Sequence, residues 1–454
     1  MVTLYKAKAK ASLIGATLTL DIDSTDYEVN GLSRYKQKIV FVSGALQGEK
    51  VQALVLEDKA GFIKARTSKV LSPAPGRQRP FCPHFSQCGG CQLQYLDNDQ
   101  QIRLKQQGID QLIRHQTGLE TLPWQPMIAA ADTHYRRKAR LGVWFDKKTR
   151  QLSVGFRAEG SKHISAISEC SMLSPLLTPV LTRLPPAINA LPDPAVVTHL
   201  ELFCANQRPY VVVRHVKPLT AAQQQAFVQS WPEAYFLGDD GTEQLQHWQP
   251  DTPTPAYTLT EQDIRLQFQP GDFIQINEAV NQKMVSQALA WLEVNADDTI
   301  LDLYAGMGNF SLPLAKYAKT VQGIEGVAKM VQQAATNATL NGLSNASFAQ
   351  ADLHLPWPDA PWRGQGYTKV VLDPARAGAK GAIEQIAALK AAQILYVSCN
   401  AATFARDARV LLSQGYQLQK LSAIDMFPHT SHLELMALFS ASSKSASVKS
   451  APAK

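Results

Sequence analysis

The sequence predicts a multidomain α/β protein. It has an N-terminal β-barrel, a central mixed α+β domain with a cysteine-bearing loop, and a C-terminal Rossmann-like sheet wound by helices on both faces. Three observations predict it: short alternating strands before residue 72, a Pro-rich linker leading into clustered cysteines, and regular helix–strand alternation from about residue 278. The expected domains are 1–72, 73–265 and 266–440, with a tail at 441–454.

Lys38–Val42 and Lys50–Glu57 read as strands joined by a Gly-containing turn, and Phe62–Arg66 follows Gly61. Several strands in so short a segment suit a barrel of the oligonucleotide-binding kind, although any small barrel or sandwich fits the same periodicity. Pro73, Pro75, Gly76 and Pro80 mark the linker. Gln100–Gly118 has helical spacing, with Ile102, Ile109, Leu112 and Ile113 on one face. Residues 134–270 alternate strand signals such as Leu141–Phe145 and Tyr210–Arg214 with Pro-rich turns.

The third domain opens with an amphipathic helix over Val280–Val294. Strands follow at Thr299–Tyr304, Thr320–Glu325, Ser347–Ala351, Lys369–Leu372 and Gln393–Ser398. Helices fall at Val327–Leu340, Gly381–Lys390 and Ala401–Leu412. Two last strands, Gln417–Asp425 and Leu433–Phe439, are close enough to pair antiparallel. The Ser-, Ala- and Lys-rich tail is expected to be disordered.

The chain has 454 residues, 45% hydrophobic and 18% charged, which excludes a disordered chain or a coiled coil. A net charge of +7 permits a polyanion partner without demanding one. No stretch approaches the ~20 apolar residues of a membrane helix, so no membrane association is expected. Ser12–Leu20 follows Lys6, Lys8 and Lys10, but it alternates like a strand and lacks a small-residue cleavage site. A cytoplasmic, reducing compartment is expected, and six cysteines are too few for a disulfide scaffold.

Asp302-Leu303-Tyr304-Ala305-Gly306-Met307-Gly308-Asn309-Phe310 follows a strand and opens a helix. Its glycines let backbone approach a ligand. A dinucleotide site would carry a third glycine where Ser311 stands. Glu325 ends the next strand, where an acid can take both ribose hydroxyls. Asp352 and Asp373 end two more. Four acids on one rim fit S-adenosylmethionine (SAM) better than a dinucleotide, whose pyrophosphate would sit on the helix N-terminus.

Cys399, in Val397-Ser398-Cys399-Asn400, stands at a strand's C-terminal end where a helix begins. A lone cysteine is more often buried and inert, but a helix N-terminus favours a thiolate. A thiolate that adds to carbon 6 of uracil turns carbon 5 into a nucleophile for a methyl group, and a general base must then remove the carbon 5 proton. Glu434 is the candidate base, ahead of His432 and His429. Asp373-Pro374-Ala375-Arg376 lacks the aromatic residue of amino-methyltransferases, which argues against an adenine nitrogen as target.

Cys82, Cys88 and Cys91 place three thiolates on one loop, and Cys170 is a candidate fourth ligand. Spacing leaves zinc and an iron–sulfur cluster equally open. Cys204 reads as a buried strand residue. His134-Tyr135-Arg136-Arg137-Lys138-Ala139-Arg140 is the densest basic run, suited to phosphate contact and base stacking or simply to a solvated face.

Together, Phe273-Ile274-Gln275-Ile276-Asn277, the Asp302–Phe310 turn, Asp373-Pro374-Ala375-Arg376, Ser398-Cys399-Asn400 and His432-Leu433-Glu434 resemble the SAM-dependent RNA uracil-5-methyltransferases. The resemblance implies that Gln275, Tyr304, Asn309, Glu325, Asp352 and Asp373 bind SAM, with Cys399 as nucleophile and Glu434 as base. It implies a [4Fe–4S] cluster on Cys82, Cys88, Cys91 and Cys170. Val29 to Arg77 resembles the family's N-terminal TRAM barrel, and the helix near 100–125 would pack with the catalytic domain. Barrel and cysteines together are most similar to the branch that modifies uridine 1939 of 23S ribosomal RNA, making that RNA, not DNA, the expected partner. The alternatives are another ribosomal site, transfer RNA, or an RNA-binding iron–sulfur protein without activity. Ala305, Ala401, Leu32-Ser33-Arg34 and Gln47 depart from the family pattern, the last two only in the barrel.

Overall fold

Alternating burial builds the N-terminal sheet in the computed structural model, which describes residues 12–242, 244–357 and 360–442. Lys6, Lys8, Lys10 and residues 443–454 of the expected tail lie outside the described residues. The strands are β1 (Thr17–Asp21), β2 (Ser24–Thr25), β3 (Gly31–Tyr35), β4 (Lys38–Ser43), β5 (Lys50–Asp58) and β6 (Phe62–Ser72), in the spatial order β1-β5-β6-β4-β3-β2. Leu18, Leu20, Val40, Val42, Val51, Ala53, Val55, Ile63 and Ala65 point inward at every second position and form the core. Buried Glu49 accepts from Arg77 Nε at 2.5 Å and from the Ala74 N–H at 3.1 Å, tying the linker to the sheet.

The chain divides into two compact units. One comprises Met1–Phe81, Cys91–Gln111 and His429–Ser431; the other comprises Cys82–Gly90, Leu112–Pro428 and His432–Lys454. The division falls inside helix α1 (Asn98–Thr117), whose first part belongs with the N-terminal sheet.

The second unit holds two large sheets. The central one contains β7 (Lys138–Asp146), β8 (Gln151–Arg157), β9 (Ile164–Ala166), β10 (Val197–Ala205), β11 (Arg208–His215), β12 (Tyr235–Asp239) and β13 (Gln246–His247). Its spatial order is β13-β12-β11-β10-β7-β8-β9. Helices α2 (Val180–Asn189) and α3 (Ala221–Ser230) contribute Leu184, Ile188 and Phe227 to its core. A hairpin of β14 (Ala256–Leu259) and β15 (Ile264–Gln267) follows.

Helix α4 (Glu278–Leu292) leads into the C-terminal sheet. Its strands are β16 (Thr299–Leu303), β17 (Thr320–Glu325), β18 (Ala346–Gln350), β19 (Lys369–Leu372), β20 (Gln393–Ser398), β21 (Tyr416–Ile424) and β22 (Glu434–Ala441). Between them run α5 (Ser311–Ala315), α6 (Ala328–Leu340), α7 (Ile383–Ala388) and α8 (Ala401–Ser413). The order is β18-β17-β16-β19-β20-β22-β21, parallel except for β22. The order reverses between β16 and β19, which opens a crevice at their C-terminal ends. One continuous apolar core runs from Phe203 and Tyr210 of the central sheet to Ile300, Leu395 and Met436 of this one.

Candidate active site

The crevice is built first by the turn after β16. Tyr304, Gly306 and Gly308 all take positive φ, 63°, 55° and 101°. A tyrosine in that region is strained, and such strain clusters at functional sites. Nothing lies within 4 Å of where a Gly306 side chain would begin, so the backbone is open to a ligand there. Glu325 at the end of β17 accepts from the Gly306 and Val327 N–H groups, each at 3.0 Å, which fixes its carboxylate against the turn. Asn309 is held by Tyr257 Oη at 3.0 Å and by a two-way amide pair with buried Asn281. Asp352 accepts the His354 N–H at 2.9 Å. The Tyr304 hydroxyl is buried with no partner among the described residues.

Burial pushes the carboxyls here far up. Asp302, which accepts from Ser311 Oγ, rises to about 7 through desolvation, with Asp373 and Glu325 adding to the effect. Asp373, just past β19, rises to about 7 by burial. A crevice that holds such acids in a dry place favours a cation, because a positive charge placed there draws them back toward their charged forms. This donor set fits the sulfonium and ammonium of SAM.

The reacting end lies on the next strands. β20 pairs antiparallel with β22, and Ser398 stands opposite Leu435. Cys399 follows the last residue of β20 and Glu434 opens β22, and the two side chains interact electrostatically. Asn400 caps α8, accepting from the Ala402 and Thr403 N–H groups at 3.0 and 3.1 Å, so the thiol sits at the helix entrance. Glu434 is buried and pushed up to about 8, by desolvation first and by Asp373 second. Burial, Glu434 and Asp373 push the Cys399 thiol up to about 11, and Arg376 opposes them. Arg376 Nη2 lies 3.4 Å from His432 Nε2. A thiol, a carboxyl and a guanidinium thus share one electrostatic site beside Asp373. His429 is placed elsewhere, with its Nδ1 3.0 Å from Gln101 Nε2 in the first unit.

The cysteine loop contributes Cys82, Cys88 and Cys170 to the second unit, and Cys91 opens a segment of the first. Burial raises the Cys82 and Cys88 thiols, and Cys170 raises both further, so these three sulfurs are electrostatic neighbours. All six cysteines are half-buried. The Gly90 N–H points at Cys88 Sγ at 3.4 Å. Among the described residues no group of three or more His, Cys, Asp or Glu side chains is arranged to hold a metal ion.

The basic run proves to have two faces. Arg137 is buried, with its guanidinium 4.2 Å from the Tyr257 ring centre and its Nε donating to the Gln275 carbonyl at 2.8 Å. It therefore supports the Gln275 backbone instead of meeting solvent. Arg136, Lys138 and Arg140 instead line an open cleft of about 360 Å³ together with Phe273, which is 71% exposed. Lys138 is paired with Glu201 at 3.0 Å. Sequence reading missed the inward turn of Arg137. It also missed Asp407, although an acid within the apolar stripe of Phe404, Ala408 and Leu411 was a signal available to it.

Comparison with known proteins agrees with this geometry. Residues 249–352 and 364–442 match the tRNA (Uracil-5-)-methyltransferase family, and residues 11–67 match the TRAM domain. The 23S rRNA (uracil(1939)-C(5))-methyltransferase RlmD of Vibrio parahaemolyticus is 42% identical over 97% of this chain and 99% of its own. That of Vibrio cholerae strain O395 is 43% identical over the same shares. The crystal structure of Pyrococcus abyssi tRNA (uracil-54, C5)-methyltransferase with S-adenosyl-L-homocysteine matches with a TM-score of 0.69, covering 93% of this chain and 99% of that one, at 22% identity. That likeness establishes the fold: a SAM-methyltransferase sheet preceded in this chain by a TRAM domain. With close relatives matched along nearly its whole length, the chain belongs to the RlmD family of 23S rRNA (uracil-C5)-methyltransferases.

Proposed function

We propose that this enzyme methylates carbon 5 of uridine 1939 in 23S ribosomal RNA through a covalent bond from Cys399 to carbon 6 of the base. The observation that supports the reading is that the Cys399 thiol, just past the Ser398–Leu435 pair of β20 and β22, feels the Glu434 and Asp373 carboxyls directly. Bound SAM supplies an electrophilic methyl group. Gln275, Tyr304, Asn309, Glu325, Asp352 and Asp373 hold it in the acidic crevice. Cys399 Sγ bonds carbon 6 of the uracil, which makes carbon 5 nucleophilic. After carbon 5 is methylated, Glu434 takes its proton, and Cys399 leaves as the double bond re-forms. Arg376 opposes the carboxylates around the thiol and so favours its ionised form. Deleting the gene should remove 5-methyluridine at position 1939; its persistence in mapped 23S RNA would sink the assignment.

The cleft beside Phe273 supports the RNA side of the reading. An exposed ring next to Arg136 and Arg140 combines a stacking surface with phosphate-binding charge. In this reading, 1–72 adds a second RNA contact, 73–265 carries the cysteines and 266–440 performs the chemistry, all in the cytoplasm with the ribosomal substrate.

The cysteines fit a [4Fe–4S] cluster on Cys82, Cys88, Cys91 and Cys170. The supporting features are the half-buried thiols of Cys82, Cys88 and Cys170, which interact with one another, and amide N–H groups directed at sulfur. Uracil methylation calls for no electron, so the role we assign the cluster is structural. Anaerobically prepared protein should be brown, with broad absorption at the visible–ultraviolet boundary, and Cys170→Ser should bleach it. A colourless protein with stoichiometric zinc would contradict the assignment.

A further inference from the structure

We infer that Asp407 is a positioning residue that locks the Asp373–Arg376 turn to the helix carrying the nucleophile. The inference rests on the reading of Cys399 and Asp373 given above. Asp407 lies on α8, 1% exposed, two turns beyond Cys399. Its Oδ2 accepts from the Tyr396 hydroxyl at 2.7 Å and from the Ala379 N–H at 2.8 Å. Its Oδ1 accepts from Arg406 Nε at 2.8 Å. Arg406 Nη2 then donates to the Ala377 carbonyl at 2.9 Å, and Thr403 Oγ1 donates to the Arg376 carbonyl at 3.3 Å. Three side chains on one face of α8 therefore grip the loop that starts at Asp373 at Arg376, Ala377 and Ala379.

The seat is tight. Gly378 has φ +71°, and a side chain there would begin 2.6 Å from Asp407 Oδ2, 2.8 Å from Arg406 Nη2 and 2.9 Å from Thr403 Cβ. Only glycine lets the loop lie this close. A charged acceptor bonded by a hydroxyl, an amide and a guanidinium gives stronger and more directional bonds than neutral pairs. The loop is thereby fixed relative to Asn400, whose side chain caps the same helix one residue after the thiol. After burial and Glu434, Asp373 raises the Cys399 thiol further and Arg376 opposes it, so the placement of the loop bears on how readily that sulfur reacts. Asp407 touches neither sulfur nor base in this account; it acts through the loop.

The test compares Asp407→Asn with Tyr396→Phe in the full-length enzyme. Both remove one bond at the same carboxylate, but only the first weakens the attachment of the loop. Melting temperature, SAM affinity by calorimetry, kcat, and the rate of covalent trapping by RNA carrying 5-fluorouridine are read for each. Asp407→Asn should slow trapping and kcat at least tenfold while SAM affinity stays within threefold, and Asp407→Glu should recover part of the rate. Tyr396→Phe should lower the melting temperature comparably and keep kcat within twofold. Equal rate losses in the two variants, or parallel loss of SAM affinity and kcat, would overturn the proposal. If Asp407→Asn does not fold, Arg406→Ala, which removes the bonds to Asp407 Oδ1 and to the Ala377 carbonyl, should slow trapping threefold or more; an unchanged rate would overturn it too. Wild-type enzyme that forms no trapped complex would instead refute the Cys399 reading on which the inference stands.

Discussion

Cys399→Ala is expected to abolish methyl transfer, lowering incorporation from labelled SAM into a 23S transcript by about 10³-fold or more, a barrier increase of about 4 kcal/mol. Without sulfur there is no addition at carbon 6, and carbon 5 keeps the poor nucleophilicity of an unactivated uracil. The substitution removes one small side chain at the entrance to α8 and leaves the Asn400 cap in place, so the helix should still form. It also relieves no carboxyl of its burial, so SAM affinity should change little. Undiminished methylation would refute the role assigned to this sulfur.

Glu434→Gln is expected to separate the first half of the reaction from the second. Glutamine matches the volume of the buried side chain and removes a group whose charged form burial and Asp373 already disfavour. The folded protein should tolerate it. The sign follows from the raised value: standing at about 8 against an ordinary 4.5, the native carboxyl prefers its proton, and the stability this confers is full below 4.5 and lost as pH rises from there to 8. The glutamine variant should lack that loss. Cys399 can still add to the base, but the carbon 5 proton has no acceptor, so a protein–RNA complex should persist on denaturing gels. In the native enzyme, resolution of the adduct should slow as pH falls from 8 to 6, a slope the variant should not share. Rapid release of methylated RNA by the variant would assign the proton to another group.

Much of the catalytic sheet was legible because its strands are buried on both faces and read as apolar runs. Thr320–Glu325, Lys369–Leu372 and Gln393–Ser398 have the bounds expected from sequence alone. The two last strands pair as expected. What sequence could not show is that β22 inserts between β20 and β21, which brings the start of β22 at Glu434 to the end of β20. That arrangement depends on edges competing for partners across the whole sheet, not on any local pattern. The basic run misled for a similar reason. Charge is visible in sequence, but the ring of Tyr257 that draws Arg137 inward lies far along the chain. Asp407 was hidden because its partner Ala379 comes from a turn some thirty residues away. Two-residue strands such as β2 and β13 carry too few side chains for any periodicity.

The pairing of Ser398 with Leu435 also limits how this chain can change length. Side chains on a strand alternate with a period of two, so a slip of a single position along β22 would present leucine where the proton acceptor stands and turn the acid to the opposite face. The segment before it leaves little slack either, because Asp425, Met426, His429, Thr430 and Leu433 are all buried.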